Sequence, residues 1–359
     1  METTSRLDPR PILLLSNDWH LKRDNVEQIQ DLVRQKCDLA DKYNIDLLAA
    51  LGDIFESRKA QEQFVLESLR RILDYIHYRE KKLILFPGNH DKTDYESSDS
   101  FLGSFSHHPA VKFFSEPSVI GIGPVQDGIE CSIMPYYTPE LYKKKLDSLL
   151  TSDGRKKILL SHIELTGSVN NDGSEIKNCL GRDSFNEFDL VLLGHYHNHQ
   201  TIGDKIVHLP SICQHNFGEN SFKGFTLLYD DLSWEILKSS FKEFRKIEIS
   251  VKDVADGRIE SILNNYDNRE SSNIRFIIKG SQEEIKALRL SELERKFGVD
   301  IQTQSDEINE AVEYIESVEV GSFTKSIICE SFKEFCEERE LNYDKGSSYL
   351  NKCFENENR

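Results

Sequence analysis

The sequence predicts an α/β fold, and three observations carry that expectation. Short apolar runs of strand length alternate with longer stretches of helical periodicity through the first two-thirds of the chain. The runs are continuous, as in strands whose two faces are both covered. At 359 residues the chain is also too long for one small core, so more than one domain is expected.

Taken in order, "PILLL" (11–15) is the first strand, 25–42 a helix, "DLLAAL" (46–51) a strand, 60–79 a helix and "KLILF" (82–86) a strand. "KKILLS" (156–161) and "DLVLL" (189–193) continue the series. From about 118 to 133 and from 205 to 237, short strands separated by Gly, Asp and Asn suggest antiparallel pairs at the sheet's edge or a second sheet. A boundary falls near 240–247, where "KSSFKEFRKIEIS" restarts a strand. Beyond it, "KIEISV", a helix at about 254–264, "NIRFIIKG", a helix at about 281–296 and "VDIQT" read as a small α+β domain. An acidic segment then leads to Phe323, Ile327, Ile328, Phe332 and Phe335, one face of a helix at about 323–338 that either folds back or docks on a partner. The chain divides accordingly into 1–243, 244–303 and 304–359.

Composition narrows the class. With 38% hydrophobic and 30% charged residues, no secretory leader pattern and no apolar run of membrane-spanning length, a cytoplasmic protein with no membrane partner is expected. Seven scattered cysteines without a CxxC pair favour free thiols over disulfides or a thiolate metal site. A formal charge of −17 opposes a protein that holds nucleic acid by bulk electrostatics, so local patches, metal ions or a partner must supply any positive field.

The chemistry lies at the strand ends. "PILLLSNDWH" delivers Asp18 and His20, which strand spacing would point to one side. "LLAALGDIFE" delivers Asp53, "LILFPGNHD" Asn89 and His90, "KILLSHIE" His162, and "LVLLGHYH" His195 and His197. In a mostly parallel sheet these carboxyl ends line one edge, where α/β ligand crevices form. Imidazoles, carboxylates and an amide without thiolate suit Mn, Fe or Zn, and there are more ligands than one ion needs. Two ions sharing a carboxylate fit better, with Asp53 the bridge; such a pair activates water and stabilises charge in phosphoester hydrolysis.

The order D-x-H, G-D, G-N-H-D, H, G-H-x-H over 11–200 resembles the calcineurin-like metallophosphoesterases. The resemblance implies a two-sheet α/β sandwich and two divalent ions, Mn²⁺ first with Mg²⁺ a weaker substitute. One ion would be held by Asp18, His20, Asp53 and His197, the other by Asp53, Asn89, His162 and His195. His90 would be a non-ligand histidine beside the scissile phosphate, with Asp91 as its orienting neighbour.

"SNDWHL", "GDIFESRKA", "LSHIELTG", "GHYHNHQTI" and "HLPSICQHNFGENSFKGFTLLY" further resemble nuclease subunits of the SbcC–SbcD type, closest to the short phage recombination version. This implies a nuclease acting on double-stranded DNA ends in repair and recombination. A small capping domain and a helical tail that grips an SMC-like coiled-coil ATPase of the SbcC type would follow, in a homodimer. Two positions depart from that family: Glu56 stands where many relatives carry a phosphate-contacting histidine, and Pro210 replaces a commoner Gly. Glu56 and His215 are candidate DNA or phosphate contacts. His77, His107, His108, His199 and the clusters Arg70-Arg71, Lys143-Lys144-Lys145 and Lys156-Lys157 read as packing, solvated faces or outer-shell groups. A stand-alone phosphodiesterase or phosphatase for small or protein phosphoesters, and a scaffold with a decayed metal site, are the alternatives.

Overall fold

A computed structural model describes residues 8–123, 128–149, 155–170, 173–177, 179–265 and 272–305, with six further residues between 332 and 347. The strands are β1 (Pro11–Ser16), β2 (Leu47–Leu51), β3 (Lys82–Phe86), β4 (Val111–Phe113), β5 (Ser118–Ile122), β6 (Ile129–Met134), β7 (Lys157–His162), β8 (Leu190–Gly194), β9 (Gln200–Ile202), β10 (Ile206–His208), β11 (Gly224–Tyr229) and β12 (Trp234–Lys238). Three helices cover them: α1 (Val26–Lys42), α2 (Gln63–Tyr78) and α3 (Pro139–Leu146).

The strands form two six-stranded sheets, ordered β12-β11-β1-β2-β3-β4 and β5-β6-β7-β8-β10-β9. β1 to β4 run parallel, with β11 and β12 added antiparallel at one edge. In the second sheet β6, β7, β8 and β10 are parallel, flanked by antiparallel β5 and β9. The expected antiparallel pairs are thus present at the edges, but β6 belongs to the parallel core. Helix α3, opened by Pro139 at its first turn, provides the crossover that lets β6 lie parallel to β7.

Alternation along each strand decides what each face packs against. Leu13 and Leu15 join Leu51 and Phe86 against Ile133, Leu160 and Leu192 of the second sheet, forming the inter-sheet core. Leu14, Leu48 and Leu85 face the other way, onto Ile29, Leu32, Leu69 and Ile72 of α1 and α2. The outer face of the second sheet, including Leu159 and Val191, is covered by Tyr142, Leu146, Phe185 and Phe188. Leu13, Leu14 and Leu15 are all fully buried, each worth roughly 2 kcal/mol against exposure. The result is a two-sheet α/β sandwich in which the carboxyl ends of β1, β2, β3, β7 and β8 carry the predicted ligands.

Further along lie β13 (Glu243–Ser250), α4 (Val251–Ala255), α5 (Ile259–Asn264), β14 (Ser272–Gly280), α6 (Gln282–Lys286), α7 (Leu290–Phe297) and β15 (Asp300–Ser305). The three strands form a sheet of order β13-β14-β15, in the alternation of strand and helix that the sequence suggests. Ser250 and Ser281 each cap a helix reciprocally with an acid three residues on, Asp253 and Glu284. The larger of two compact units holds both six-stranded sheets. Phe323, Ile327 and Ile328 of the expected tail helix lie outside the described residues, whereas Phe332 and Phe335 are helical. The five described cysteines are free, and no described helix is long and apolar enough to cross a membrane.

Candidate metal centre

The first loop does not continue the strand. β1 ends at Ser16, and Asp18 and His20 then adopt φ of 50° and 45°, in the left-handed region. Their common direction therefore comes from two strained residues rather than from strand pleating. Among the described residues seven non-glycine residues have positive φ, and four of them, Asp18, His20, Asp53 (49°) and His195 (97°), are predicted ligands. Each costs on the order of 1–3 kcal/mol, and such strain persists only where the surroundings impose it.

Trp19 between them is buried in the helix-side core, its Nε1–H donating to Ser16 Oγ at 3.0 Å. Buried Lys36 donates to the same hydroxyl (2.8 Å) and to Ala49 O (2.6 Å); burial lowers its pKa to about 7. Backbone bonds from Asp18 N to Gly52 O, His20 N to Asp53 O and Leu21 N to Ile54 O tie the first loop to the second. Glycine is required beneath them: a Cβ on Gly194 would lie 2.5 Å from Leu51 O and 2.8 Å from His162 Nδ1.

All seven predicted ligands converge in two adjoining sets. In the first, His20 Nε2 lies 3.0 Å from His197 Nε2, 3.7 Å from Asp53 Oδ2 and 4.0 Å from Asp18 Oδ1. In the second, His162 Nε2 lies 3.2 Å from Asp53 Oδ2 and 3.1 Å from Asn89 Oδ1, with His195 Nδ1 3.1 Å from the same amide oxygen. Asp53 belongs to both sets.

Tautomers assigned from the surrounding partners sharpen the chemistry. His197 Nδ1–H donates to Glu219 Oε1 (2.8 Å) and His162 Nδ1–H to Leu51 O (2.7 Å). His20 Nδ1 lies 2.9 Å from Glu56 Oε2. Each ring therefore turns an Nε2 lone pair inward, where it faces other lone pairs and carboxylates. Asn89 Oδ1 likewise faces only acceptors; with its amide turned over, Nδ2 would donate to His195, His162 and Asp53. The inward-oxygen orientation is the one a cation selects. Electron-pair donors gathered without protons to share are a fitting cradle for divalent ions, each set offering four ligands.

The charges point the same way. Burial would raise the Asp53 carboxyl, but His162, His20 and His90 hold it far below the usual range. Burial opposes charge on His162, yet Asp53 and Asp18 lift it to about 9. The site therefore favours positive charge beside Asp53, which a bound cation would supply.

A family model of calcineurin-like phosphoesterases matches residues 12–199, just over half of the 359 residues. The chain belongs to the calcineurin-like phosphoesterase family. Phosphoesterase-like protein 078R of Invertebrate iridescent virus 3 is 22% identical over 289 residues, covering 77% of this chain and 78% of its own length. The SbcD component of the nuclease SbcCD from Staphylococcus epidermidis is 24% identical over 298 residues, covering 72% of this chain and 78% of its own. Exonuclease subunit 1 of Enterobacteria phage T4 is 26% identical over 193 residues, covering 52% and 55%. Among solved structures, a dimetal phosphatase from Danio rerio aligns with TM-score 0.44 at 12% identity, covering 62% of this chain and 93% of that one.

The remaining predicted residues sit around the candidate ligands. His90 lies near His20, ring centroids 4.6 Å apart, but both its nitrogens are engaged. Nδ1–H donates to Glu56 O (2.6 Å), and Nε2 accepts from Arg58 NH2 (2.7 Å). Asp91 does not orient it, contrary to expectation. Its buried carboxylate accepts from Ile54 N (3.0 Å), Phe55 N (2.9 Å) and Gly88 N (2.9 Å), pinning the loops after β2 and β3 together. The physical reason is that three buried backbone donors need an acceptor and Asp91 is the one within reach; burial and nearby Asp53 raise its pKa to about 7.

Both rim candidates come to His20. Beside the Glu56 contact described above, His215 stacks edge-on against that ring, its Nε2–H donating to Asp18 O (2.8 Å). Glu56 is held ionised, with a pKa of about 2, by its bond to His20. His199 donates from Nδ1 to His208 O (3.0 Å) and is not a ligand. His108 pairs with Asp74 (3.2 Å), and Arg70 with Glu67 and Asp74, as solvated faces do. Sequence reasoning missed Arg58 and the buried pair Glu219–Lys223. Lys223 Nζ lies 3.1 Å from Glu219 Oε2 and donates to His197 O (2.5 Å), so one fully buried ion pair holds both the ring and the backbone of His197. In the sequence the two stand at i and i+4 in "GENSFKG", where nothing distinguishes them from ordinary surface charges.

Proposed function

We propose that this chain is a two-metal phosphodiesterase that hydrolyses DNA ends, as the nuclease subunit of a complex with an SMC-like coiled-coil ATPase. The observation that carries the reading is Asp53 standing between two four-ligand sets. Metal ions bound there, Mn²⁺ foremost, would lower the pKa of water and neutralise charge on the phosphoryl oxygens. The protein's own residues do the rest. Asp18, His20 and His197 on one side, and Asn89, His162 and His195 on the other, fix the centre on strand ends. His90, its ring held through Nδ1 by Glu56 O, would exchange the Arg58 bond at Nε2 for one to the leaving oxygen and, protonated there, give that oxygen its proton. Water adds to phosphorus, the P–O bond to the leaving sugar breaks, and that oxygen departs protonated.

DNA as substrate is supported by the relatives named as a nuclease and an exonuclease subunit. The S. epidermidis match covers 72% of this chain, more than the family domain alone. Within the same reading, 244–303 cap the nuclease domain and 304–359 bind the ATPase, with the −17 charge leaving much of the DNA affinity to that partner.

The test is hydrolysis of linear double-stranded DNA and of bis-p-nitrophenyl phosphate by the purified chain in Mn²⁺, beside His90→Ala. Both substrates are expected to be cleaved, and the variant to lose about 10²- to 10⁴-fold in rate while keeping its metal. Cleavage of the small ester with DNA untouched, even after addition of an SbcC-type ATPase, would replace the nuclease by a small-molecule phosphodiesterase.

A further inference from the structure

The irregular loop 213–220 touches the metal centre at two points. His215 Nε2–H donates to Asp18 O (2.8 Å), and Glu219 Oε1 accepts from His197 Nδ1–H (2.8 Å). A segment outside any helix or strand has no backbone ladder to hold it, so side chains must fix its position. Here they meet residues of β13, β14 and β15 that belong to the same compact unit as the centre. Phe217 meets the Phe244 ring edge-on, centroids 5.0 Å apart, and the Arg275 guanidinium lies 4.1 Å from the centroid of the Phe217 ring. Asp300 in turn accepts from Arg275 Nε. The buried Gln214 amide adds a second link, accepting from Phe244 N (2.9 Å) and donating to Glu219 O (2.8 Å). Hydrogen bonds thus lead from β13 through Gln214 and Glu219 to the His197 ring.

We propose that Phe217 and Gln214 are positioning residues through which Phe244, Arg275 and Asp300 set the affinity of the metal set that contains His197. The inference rests on the metal-centre reading of Asp18, His20, Asp53 and His197, and it concerns one ion only. Glu219 orients the His197 ring, and a ligand ring released from its outer partner binds metal less tightly. A loop freed from its clasp lets Glu219 drift. His162, in the other set, takes its orientation from Leu51 O of β2 instead. Displacing loop 213–220 should therefore affect one ion and spare the other.

Mn²⁺ titration of the full-length chain by calorimetry tests this, with His197→Ala identifying the site that depends on His197. Phe217→Ala is expected to weaken that site about 3- to 30-fold and to leave the other unchanged. Arg275→Ala should give the same selective loss, and the double variant no more than the larger single loss, because both act on one clasp. Phe217→Tyr keeps the ring and should restore wild-type binding. Unchanged affinities in both alanine variants, or a loss spread evenly over the two sites, would overturn the proposal and leave the metal centre standing. A folded wild type that takes up no Mn²⁺ would overturn both.

Discussion

Asp53→Asn is expected to lower diester hydrolysis by at least about 10³-fold and to reduce bound Mn²⁺ from two ions per chain to one or none. Asparagine keeps the size of the side chain and one oxygen, so the fold has no reason to change. What it loses is the charge that both ligand sets share: Asp53 Oδ2 lies 3.2 Å from His162 Nε2 and 3.7 Å from His20 Nε2. A metal centre is worth several kcal/mol of transition-state stabilisation, and each 1.36 kcal/mol is a factor of ten in rate. Metal analysis of the purified variant beside its rate checks the two halves together. Near wild-type activity with two ions retained would mean that Asp53 does not bridge.

Replacing Glu219 should damage stability and metal affinity at once, and two variants separate these effects. Its carboxylate and the Lys223 ammonium are fully buried against one another. Glu219→Ala leaves Lys223 buried without its counter-charge, a loss of about 3–5 kcal/mol. It also removes the acceptor that fixes the His197 tautomer, which should weaken metal binding about 10- to 100-fold. Glu219→Gln keeps an acceptor for His197 Nδ1–H while still discharging the pair, so it should retain more metal affinity than stability.

The pH dependence has a definite sign. Burial would raise the Glu219 pKa, but His197 and Lys223 bring it down to about 2 from an ordinary 4.5. A depressed carboxyl pKa contributes stability that is present above 4.5 and lost as pH falls towards 2. The gap in melting temperature between wild type and Glu219→Gln should therefore narrow over that window. A Glu219→Ala chain that melts with the wild type and binds Mn²⁺ equally well would rule out both roles.

The convergence of the candidate ligands was legible because a parallel sheet forces it. Each buried strand writes a continuous apolar run, and whatever follows the run lies on the ligand edge, so Asp18, Asp53, Asn89, His162 and His195 could be placed without knowing their contacts. How Asp18 and His20 come to face one way was not legible, since it depends on two left-handed residues that no periodicity encodes. Nor was the role of Asp91, because its three backbone partners come from loops some 35 residues apart in sequence. Glu219 and Lys223 escaped for the same reason: a buried pair announces itself only once burial is known. The 118–133 stretch reads as an edge pair or a second sheet because the short β5–β6 hairpin dominates the local pattern; a second sheet is what forms, and the parallel pairing of β6 to β7 is set by the α3 crossover.

The Asp53 carboxylate is expected to hold two cations where the strands of the two sheets end. Anomalous diffraction from crystals grown with Mn²⁺ tests it most directly. Two peaks about 3.5–4 Å apart are expected, one among Asp18, His20 and His197, the other among Asn89, His162 and His195, with Asp53 touching both. A single peak, or two with Asp53 bound to only one, would contradict it.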